Sequence, residues 1–279
     1  MRAAVMGMLA LTAISACSTT RPLTTPADAP ATIARSFEYR MTSRHTGREY
    51  VVQVSAPIDP LPPGQKIPAI YVLDGNWYFG MATDTVRLHK IGNAMGPAYV
   101  VAIGYVDPTF KSIVANRESD LLFDQVEGPL GAMGGGGAAF FAFLTDELRP
   151  FVEARFQIDP GQRVLAGQSL GGVFTTNVLV RHPDSFSAYL IGSPSLWADE
   201  TVLAAARGFT AGGGRRVFIG VGGGESPPMR DGTSALAAAL SARATGLSVE
   251  HLELAAHGHT SMAGAWLATG LHYLLPKAE

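Results

Sequence analysis

The sequence has little of what a metal site or a nucleic-acid surface requires. Cys17 is the single cysteine among 279 residues, and no Cys and His residues have the spacing of a zinc site. His257 and His259 are close neighbours, but a third ligand has no obvious source. Lys and Arg form no dense run, and the net charge of −2 argues against nucleic acid as a partner. We therefore expect neither a metal nor a cofactor.

Charged residues are also few. They make up 16% of the chain against 47% hydrophobic residues, so one domain with a sizeable core is expected. The 32 glycines and 18 prolines fall mostly in short clusters between apolar runs, as in turns that join strands to helices. The cluster at 131–137 is no phosphate loop, because no strand precedes it and no Lys-Ser/Thr follows. We predict a flexible loop there, or a mobile rim over the functional site.

The N-terminus resembles the signal peptide of a bacterial lipoprotein. Arg2 is followed by an apolar stretch from Ala3 to Ile14, which is too short to span a bilayer. The run from Ile14 to Cys17 resembles a lipobox, in which the cysteine is lipidated and becomes the new N-terminus. An ordinary signal peptide with an incidental Cys17 is the alternative.

These features divide the chain into three parts. Residues 1–17 are assigned to the signal peptide and lipobox, and Cys17 is expected to anchor the protein to a membrane. The residue after the cysteine is Ser18 and not an aspartate, which favours the outer membrane and a periplasmic location. Residues 18–35 are rich in Thr, Pro and Ala and predict an extended tether. Residues 36–279 then form the folded domain.

The hydrophobic periodicity of this domain predicts an α/β fold. Apolar runs of strand length alternate with segments long enough for helices, which indicates a mostly parallel sheet flanked by helices. The first two strands flank a turn and are expected to be antiparallel. Eight strands are predicted, at 37–42, 50–54, 69–73, 99–103, 163–166, 188–191, 217–221 and 249–254. Helices are predicted at 138–156 with a kink at Pro150, at 173–180, at 234–244 and at 264–275.

A candidate nucleophile lies between a predicted strand and a predicted helix. The run from Gly167 to Gly171 fits the pattern G-x-S-x-G, with Ser169 at its centre. Such a serine occupies a strained turn, where a Cβ two residues to either side would collide. The helix that follows directs its N-terminal dipole and free N–H groups at the reacting centre, which stabilises an oxyanion. An incidental serine in a glycine-rich turn is the alternative.

The order Ser, acid, His of the α/β-hydrolase fold places the base downstream of Ser169. Among the downstream histidines, His257 and His259 lie in a loop after the last strand, and we prefer His259. Glu225 follows the seventh strand and a glycine turn, where an acid can orient the imidazole and stabilise its cation. Asp231 is the alternative acid, and a Ser–His pair without a third member also stays open.

The oxyanion hole of this fold needs two N–H donors. One is expected from Leu170, directly after the nucleophile, and the other from a loop after an earlier strand. The run from Leu73 to Trp77 is such a loop, and we assign the second donor to the backbone of Asn76. Asp74 and Trp77 are expected near the mouth of the pocket, although a tryptophan beside a strand end is as often part of the core.

Segments spread over nearly the whole folded domain match those of a known family. The matching segments are YVLDGNWYF (71–79), VAIGY with NRESD (101–120), FLTDELRPFVEARF (143–156), GQSLGG (167–172), SPSLW (193–197), VFIGVGGGE (217–225) and HGHTSM (257–262). In this order they resemble the esterase D-like bacterial hydrolases that include the periplasmic trilactone siderophore esterases, and more distantly the mycolyltransferases. GQSLGG alone is shared by many hydrolases, whereas SPSLW followed by H-x-S-M is specific.

The resemblance implies roles for further residues. In the family the catalytic histidine stands before x-S, which supports His259, although an acidic residue usually stands where this chain has His257. Arg117 and Asp120 match the family's Arg and Asp, but Leu121-Leu122 replaces the usual Thr-Pro. Arg117, and Trp197 of the SPSLW segment, are expected to contact substrate together with Asp74 and Trp77.

The function expected from residues and resemblance together is that of a serine carboxylic ester hydrolase that works through an acyl-enzyme. Its substrate is expected to be a small-molecule ester, either a siderophore lactone or a small acyl ester. Two alternatives stay open: an acyltransferase that uses an alcohol or sugar acceptor, and a ligand-binding lipoprotein of the same fold without turnover.

Overall fold

The computed structural model describes residues 30–128, 131–210, 213–243 and 246–277. The described residues from Ile33 onward form one compact unit. Cys17, the signal peptide and most of the tether lie outside the described residues, so their assignments stay predictions. Within the described ranges, no helix is long and apolar enough to cross a bilayer.

A large twisted sheet organises the unit from Ile33 onward. Among the described residues it has eight strands in the order β1-β2-β4-β3-β7-β8-β9-β10, and β5 and β6 form a separate hairpin. The strands are β1 Ser36–Thr42, β2 Glu49–Ser55, β3 Ile67–Val72, β4 Tyr99–Tyr105, β5 Gln125–Gly128, β6 Gly131–Gly134, β7 Ile158–Gln168, β8 Ala188–Gly192, β9 Arg216–Gly222 and β10 Ser248–Leu254. β1 and β2 are antiparallel to each other, β2 is antiparallel to β4, and the other pairs in the large sheet are parallel. The predicted fold class is confirmed.

Helices cover both faces of this sheet, as continuous apolar strands require. They are α1 Gly75–Ile91, α2 Phe110–Asp120, α3 Gly137–Ala142, α4 Arg149–Glu153, α5 Leu170–Arg181, α6 Glu200–Gly208, α7 Pro227–Arg243 and α8 Ala263–Leu274. Alternate strand residues feed two cores: Ile70 and Val72 of β3 pack with α1 and α8, whereas Tyr71 packs with α5. The sheet is therefore held rigidly from both sides.

Trp266 of α8 shows how closely one of these layers approaches the sheet. Its side chain is fully buried, and its indole ring lies over Gly192 of β8 and Gly220 of β9. A Cβ at Gly192 would lie 2.8 Å from the ring, and a Cβ at Gly220 would lie 2.9 Å from it. These glycines admit α8, which begins directly after the loop that carries His259.

The predicted single helix at 138–156 is wrong in its interior. The chain forms α3, then a π-helical segment Phe143–Leu148, then α4. Pro150 has no N–H to donate and would crowd the carbonyl four residues earlier in a regular α-helix. The wider π turn, in which the N–H of Arg149 donates to the carbonyl of Leu144, precedes the proline and relieves this conflict.

The flexible loop predicted at 131–137 is also a misinterpretation. Gly131–Gly134 form β6, and α3 begins at Gly137. A Cβ at Gly134 would lie 2.4 Å from the carbonyl oxygen of Asp124, and one at Gly137 would lie 2.8 Å from the backbone of Phe123. Gly134 and Gly137 therefore allow close backbone packing, and none of the glycines at 131–137 lines the clefts at Ser169.

The topology places the candidate site residues at one edge of the sheet. Asp74 follows β3, Ser169 follows β7, Glu225 follows β9 and His259 follows β10. Because these strands are parallel, their carboxyl ends meet at the same edge, where ligand sites of open α/β sheets form. The fold thus gathers residues that are up to 185 positions apart in the chain, from Asp74 to His259.

Candidate active site

Ser169 stands at the sharp turn between β7 and α5. Its φ of +61° lies in a region that non-glycine residues rarely occupy, which is the strained backbone expected for a nucleophile at such a turn. A Cβ at Gly167 would lie 2.3 Å from the carbonyl oxygen of Gly171, so the predicted collision is found on this side. On the other side the tight contact falls at Gly172, 2.8 Å from the carbonyl oxygen of Gly192, whereas a Cβ at Gly171 would meet Asp74 only at 3.3 Å.

The candidate oxyanion donors stand at two helix N-termini. Leu170 is the first residue of α5, and Asn76 is the second residue of α1. First-turn N–H groups have no acceptor within their own helix, so both backbones keep a donor available. The Asn76 side chain exchanges two hydrogen bonds with the backbone of Tyr105 and so ties α1 to the end of β4. The role of these donors stays a prediction.

His259 and Glu225 form a close pair beside the nucleophile. The Nδ1 atom of His259 lies 2.7 Å from Oε2 of Glu225, whose side chain is only 3% exposed. The other carboxylate oxygen, Oε1, accepts hydrogen bonds from the backbone N–H of Gly222 at 2.9 Å and from the hydroxyl of Ser193. With Nδ1 directed at the acid, Nε2 is the nitrogen left to exchange protons at the nucleophile.

Two further side chains hold the histidine loop in place. The amide of Gln168, the residue before the nucleophile, donates to the backbone carbonyl of His259. The hydroxyl of Tyr78 donates to Oε1 of Gln168 at 2.7 Å, and burial raises the pKa of Tyr78 to about 12, so it remains a donor. The loops after β7 and β10 are thereby joined directly.

The alternative base and acid stand elsewhere. The Nδ1 atom of His257 lies 3.0 Å from the carbonyl oxygen of Ser261 in its own turn, and His257 lines neither cleft at Ser169. Asp231 is an exposed residue of α7 and also lines neither cleft. The geometry therefore favours His259 and Glu225 over both alternatives.

Two clefts meet at Ser169 and His259. One, of about 420 Å³, is lined by Trp197, a residue that is 62% exposed, and by Glu225 and Met229. The other, of about 380 Å³, has an aromatic and cationic lining. Its further residues are Trp77, Tyr78, Met81, Phe110, Arg117, Gln168, Thr260 and Ala263. We name them the Trp197 cleft and the Trp77 cleft; a substrate that spans both has its scissile bond between them.

Asp74 does not lie at the pocket mouth as predicted. Its side chain is 1% exposed, and both carboxylate oxygens accept hydrogen bonds from Arg117, at 3.0 and 2.8 Å. Burial disfavours the charge of Arg117, but the neighbouring carboxylate outweighs this and raises its pKa. The guanidinium also lies 5.2 Å from the ring of Trp77. Asp74 therefore holds Arg117 in place and itself lines neither cleft.

Sequence reasoning missed the polar partners that hold the site together. Ser195 lies with its Oγ 3.1 Å from Oγ of Ser169, and Ser193 donates to Glu225. Both serines belong to the SPSLW segment, so this motif could have pointed to them. The motif does not, however, reveal which residues they bind. Asp120 pairs with Arg48 and Tyr50, outside both clefts. Across the described ranges, no three His, Cys, Asp or Glu side chains are arranged to hold a metal ion.

Comparison with known proteins identifies the family. The model of a family described as putative esterase matches residues 43–263. The ferri-bacillibactin esterase BesA of Bacillus subtilis is 31% identical over 256 residues, which covers 84% of this chain and 88% of the relative. A siderophore enterobactin esterase of Emericella nidulans is 36% identical over 163 residues, covering 53% of each chain.

Solved structures agree with this assignment. The BES protein from Bacillus cereus superposes with a TM-score of 0.77 at 27% identity, over 90% of this chain and 99% of that one. The siderophore hydrolase EstB from Aspergillus nidulans gives a TM-score of 0.75 at 25% identity, over 89% and 98%. The predicted resemblance and the predicted serine esterase activity are confirmed. The chain belongs to the putative esterase family of the α/β-hydrolase fold, among relatives that are siderophore esterases.

Proposed function

We propose that this esterase hydrolyses ester bonds of siderophore lactones through an acyl-enzyme on Ser169. The observation that carries the proposal is the His259–Glu225 pair, with 2.7 Å between Nδ1 and Oε2, in a cleft that also contains the strained Ser169. The names of the relatives support the substrate class, since they include esterases of ferri-bacillibactin and enterobactin.

Acylation follows from the positions of these groups. Ser169 Oγ attacks the ester carbonyl carbon, and Nε2 of His259 takes the hydroxyl proton. Glu225 keeps Nδ1 protonated and stabilises the imidazolium, while the N–H groups of Leu170 and Asn76 stabilise the oxyanion. When the tetrahedral intermediate collapses, the C–O bond to the alcohol breaks. His259 returns its proton to that alcohol, which leaves.

Deacylation repeats these steps with water. His259 takes a proton from a water molecule that attacks the acyl carbon, and the bond to Ser169 Oγ breaks as the proton returns to the serine. The products are a carboxylic acid and an alcohol, and the serine is regenerated. In a cyclic lactone the first cut leaves the new acid and the new alcohol at the two ends of one linear molecule, so the first turnover opens the ring and a second cut releases a fragment.

The two clefts support a substrate that extends on both sides of the scissile ester. The Trp77 cleft offers rings and the Arg117 guanidinium, whereas the Trp197 cleft offers a largely exposed indole. Planar aromatic or anionic groups find partners in the first cleft. Arg117 and Trp77 are therefore proposed as substrate contacts there, and Trp197 as the contact on the other side.

The test is labelling by a fluorophosphonate probe, compared between the native protein and Ser169→Ala. The native chain is expected to label and the variant is not; equal labelling of both, or of neither, would overturn the proposal. Hydrolysis of a lactone siderophore and of p-nitrophenyl esters of increasing acyl length then ranks the substrates. Product analysis with an added alcohol or sugar acceptor separates hydrolysis from acyl transfer.

We also propose that the protein is anchored through Cys17 and faces the periplasm from the outer membrane. The lipobox-like run before Cys17 and the tether-like composition of 18–35 support this. Incorporation of labelled palmitate into the native protein, and its loss in Cys17→Ser, is the expected result. A native protein that takes up no label would leave an ordinary signal peptide as the explanation.

A further inference from the structure

A short segment after β8 contacts both the nucleophile and the acid. It consists of Ser193, Pro194 and Ser195, and we name it the Ser-Pro-Ser turn. Its two serines are almost completely buried, at 0% and 3% exposed. Buried hydroxyl groups are generally hydrogen-bonded, so the partners of these two show what the segment does.

Ser193 holds the acid. Its backbone N–H donates to the carbonyl of Gly220 at 2.8 Å. Its hydroxyl donates to Oε1 of Glu225 at 2.5 Å and also lies 2.7 Å from Sδ of Met262. The backbone N–H of Gly222 donates to the same oxygen at 2.9 Å. With Oε1 fully engaged, Oε2 is directed at Nδ1 of His259. The φ of Ser193 is +35°, a strained value of the kind that clusters at functional sites.

Ser195 holds the nucleophile. Its hydroxyl lies 3.1 Å from Oγ of Ser169, and its backbone N–H donates to the carbonyl oxygen of Ser169 at 3.2 Å. When Ser195 donates to a lone pair of Ser169 Oγ, the proton of Ser169 is free to point at His259. The same donor stabilises the negative charge that develops on Oγ when the acyl-enzyme breaks down.

The link between the two serines is rigid. Pro194 fixes its own φ and has no N–H group that needs an acceptor. It packs against the first turn of α5, where a Cβ at Gly172 would lie 3.0 Å from Cα of Pro194. The distance between the two serine hydroxyls is therefore set by backbone that cannot move freely.

We propose that the Ser-Pro-Ser turn is a positioning device that fixes the acid and the nucleophile relative to each other. Ser193 acts through Glu225, and Ser195 acts through Ser169. The inference rests on the proposed function, because it assigns roles around the proposed Ser169, His259 and Glu225 machinery.

The test is a double-mutant cycle. Ser193→Ala is measured in the native chain and in the Glu225→Gln background, with kcat and KM on a p-nitrophenyl ester and the rate of fluorophosphonate labelling. In the native chain a loss of about 10-fold in kcat, with KM unchanged, is expected for one hydrogen bond to a charged group. In Glu225→Gln the same change is expected to cost less than about 2-fold, because the group through which Ser193 acts is already impaired.

Ser195 is tested by rescue. Ser195→Ala is expected to slow labelling about 10-fold, and Ser195→Thr, which keeps the hydroxyl, to recover most of this rate. Ser187→Ala is the matched control: Ser187 also makes one side-chain hydrogen bond, to the carbonyl of Arg163 at 2.9 Å, but at the opposite end of β8. It is expected to label at the native rate.

Each outcome decides between the two proposals. If the native chain neither labels nor hydrolyses esters, the proposed function has failed. If the native chain is active, native rates in Ser193→Ala and Ser195→Ala overturn the positioning role. So do equal losses for Ser193→Ala in both backgrounds, which would mean general damage to the fold. Ser193→Gly, which tolerates the positive φ and also lacks the hydroxyl, replaces Ser193→Ala if the alanine variant does not fold.

Discussion

Two buried carboxylates stand near Ser169, and they have different partners. The side chain of Glu225 is 3% exposed and has three partners: the hydroxyl of Ser193, the N–H of Gly222 and the Nδ1 of His259. The side chain of Asp74 is 1% exposed and receives two hydrogen bonds from the guanidinium of Arg117. Both residues follow parallel strands at the same edge of the sheet.

The difference in partners explains the difference in role. Arg117 carries a permanent charge, so the charge of Asp74 is already neutralised before any substrate arrives. In the proposed mechanism, the histidine that partners Glu225 becomes cationic when it takes a proton from the nucleophile. The attraction between Glu225 and His259 is therefore greatest when the transition state forms, which is what catalysis requires. A buried carboxylate supports the chemistry when its countercharge is created during the reaction.

The substitution with the largest expected effect is Glu225→Gln. The amide keeps the size of the side chain but removes the charge that stabilises the imidazolium. We expect kcat/KM on an ester substrate to fall about 10³-fold. Asp231→Asn, an exposed residue of α7, is the matched control and is expected to keep native activity. A large loss in the control with little loss in Glu225→Gln would reassign the acid.

The corresponding substitution of the second carboxylate is Asp74→Asn. Asparagine tolerates the φ of +54° that Asp74 adopts, so the backbone is not the cause of any effect. The change leaves the buried guanidinium of Arg117 without its countercharge, and the free energy of unfolding is expected to fall by about 3 kcal/mol in urea denaturation.

A double variant tests whether the unpaired charge is the cause of that loss. Asp74→Asn combined with Arg117→Met removes both charges and is expected to recover most of the lost stability, since replacing a buried ion pair by apolar groups is often near neutral. Activity of the double variant on a siderophore ester is expected to be low, because the Trp77 cleft has lost its cation. An Asp74→Asn protein as stable as the native one would show that the pair is not structural.

The two clefts extend the comparison to substrate binding. Trp77 is held by Arg117 at 5.2 Å and by the ring of Phe110 at 6.2 Å, whereas Trp197 is 62% exposed. A ring held by neighbours loses less entropy when it binds a ligand. We expect Trp77→Ala to raise KM for a siderophore ester about 10-fold and Trp197→Ala only about 3-fold, with kcat little changed. The reverse order in steady-state kinetics would assign the main binding surface to the Trp197 cleft.

The sequence predicted the parts of this site that depend on local pattern. Ser169 is preceded by a buried strand and followed by a helix, and glycines surround it, so its strained turn could be inferred from five residues. The chain order of the fold then limited the choice of base and acid. The alternation of apolar strands with helical segments was equally local, and it predicted the parallel sheet.

Partners that are distant in the chain could not be predicted in this way. Asp74 and Arg117 are 43 residues apart, and Ser169 and Ser195 are 26 residues apart. No periodicity links such positions, because their contact depends on how two loops meet at the sheet edge. The prediction of a flexible loop at 131–137 was wrong for a related reason. Glycine content indicates that the backbone is free to adopt many conformations, but not whether another backbone packs against it.

Three histidines away from the active site make the stability of the folded protein depend on pH. Burial lowers the pKa of His89, His182 and His251 below the usual value of 6.5. In the unfolded chain these groups take up protons at higher pH than in the folded one. Their contribution to stability is therefore complete above pH 6.5 and is lost as the pH falls through their folded pKa values.

We expect Tm to decline as the pH falls below about 6.5, in the native chain and in Asp74→Asn alike. His251→Gln removes one of these groups and is expected to flatten the decline slightly, the smallest effect proposed. Scanning calorimetry between pH 8 and pH 5 provides the measurement. A steeper decline in His251→Gln would contradict the assignment. An Asp74→Asn protein that is less stable than the native chain only below pH 6.5 would owe its loss to histidine protonation. That result would contradict the claim that Asp74 stabilises the fold by pairing with Arg117.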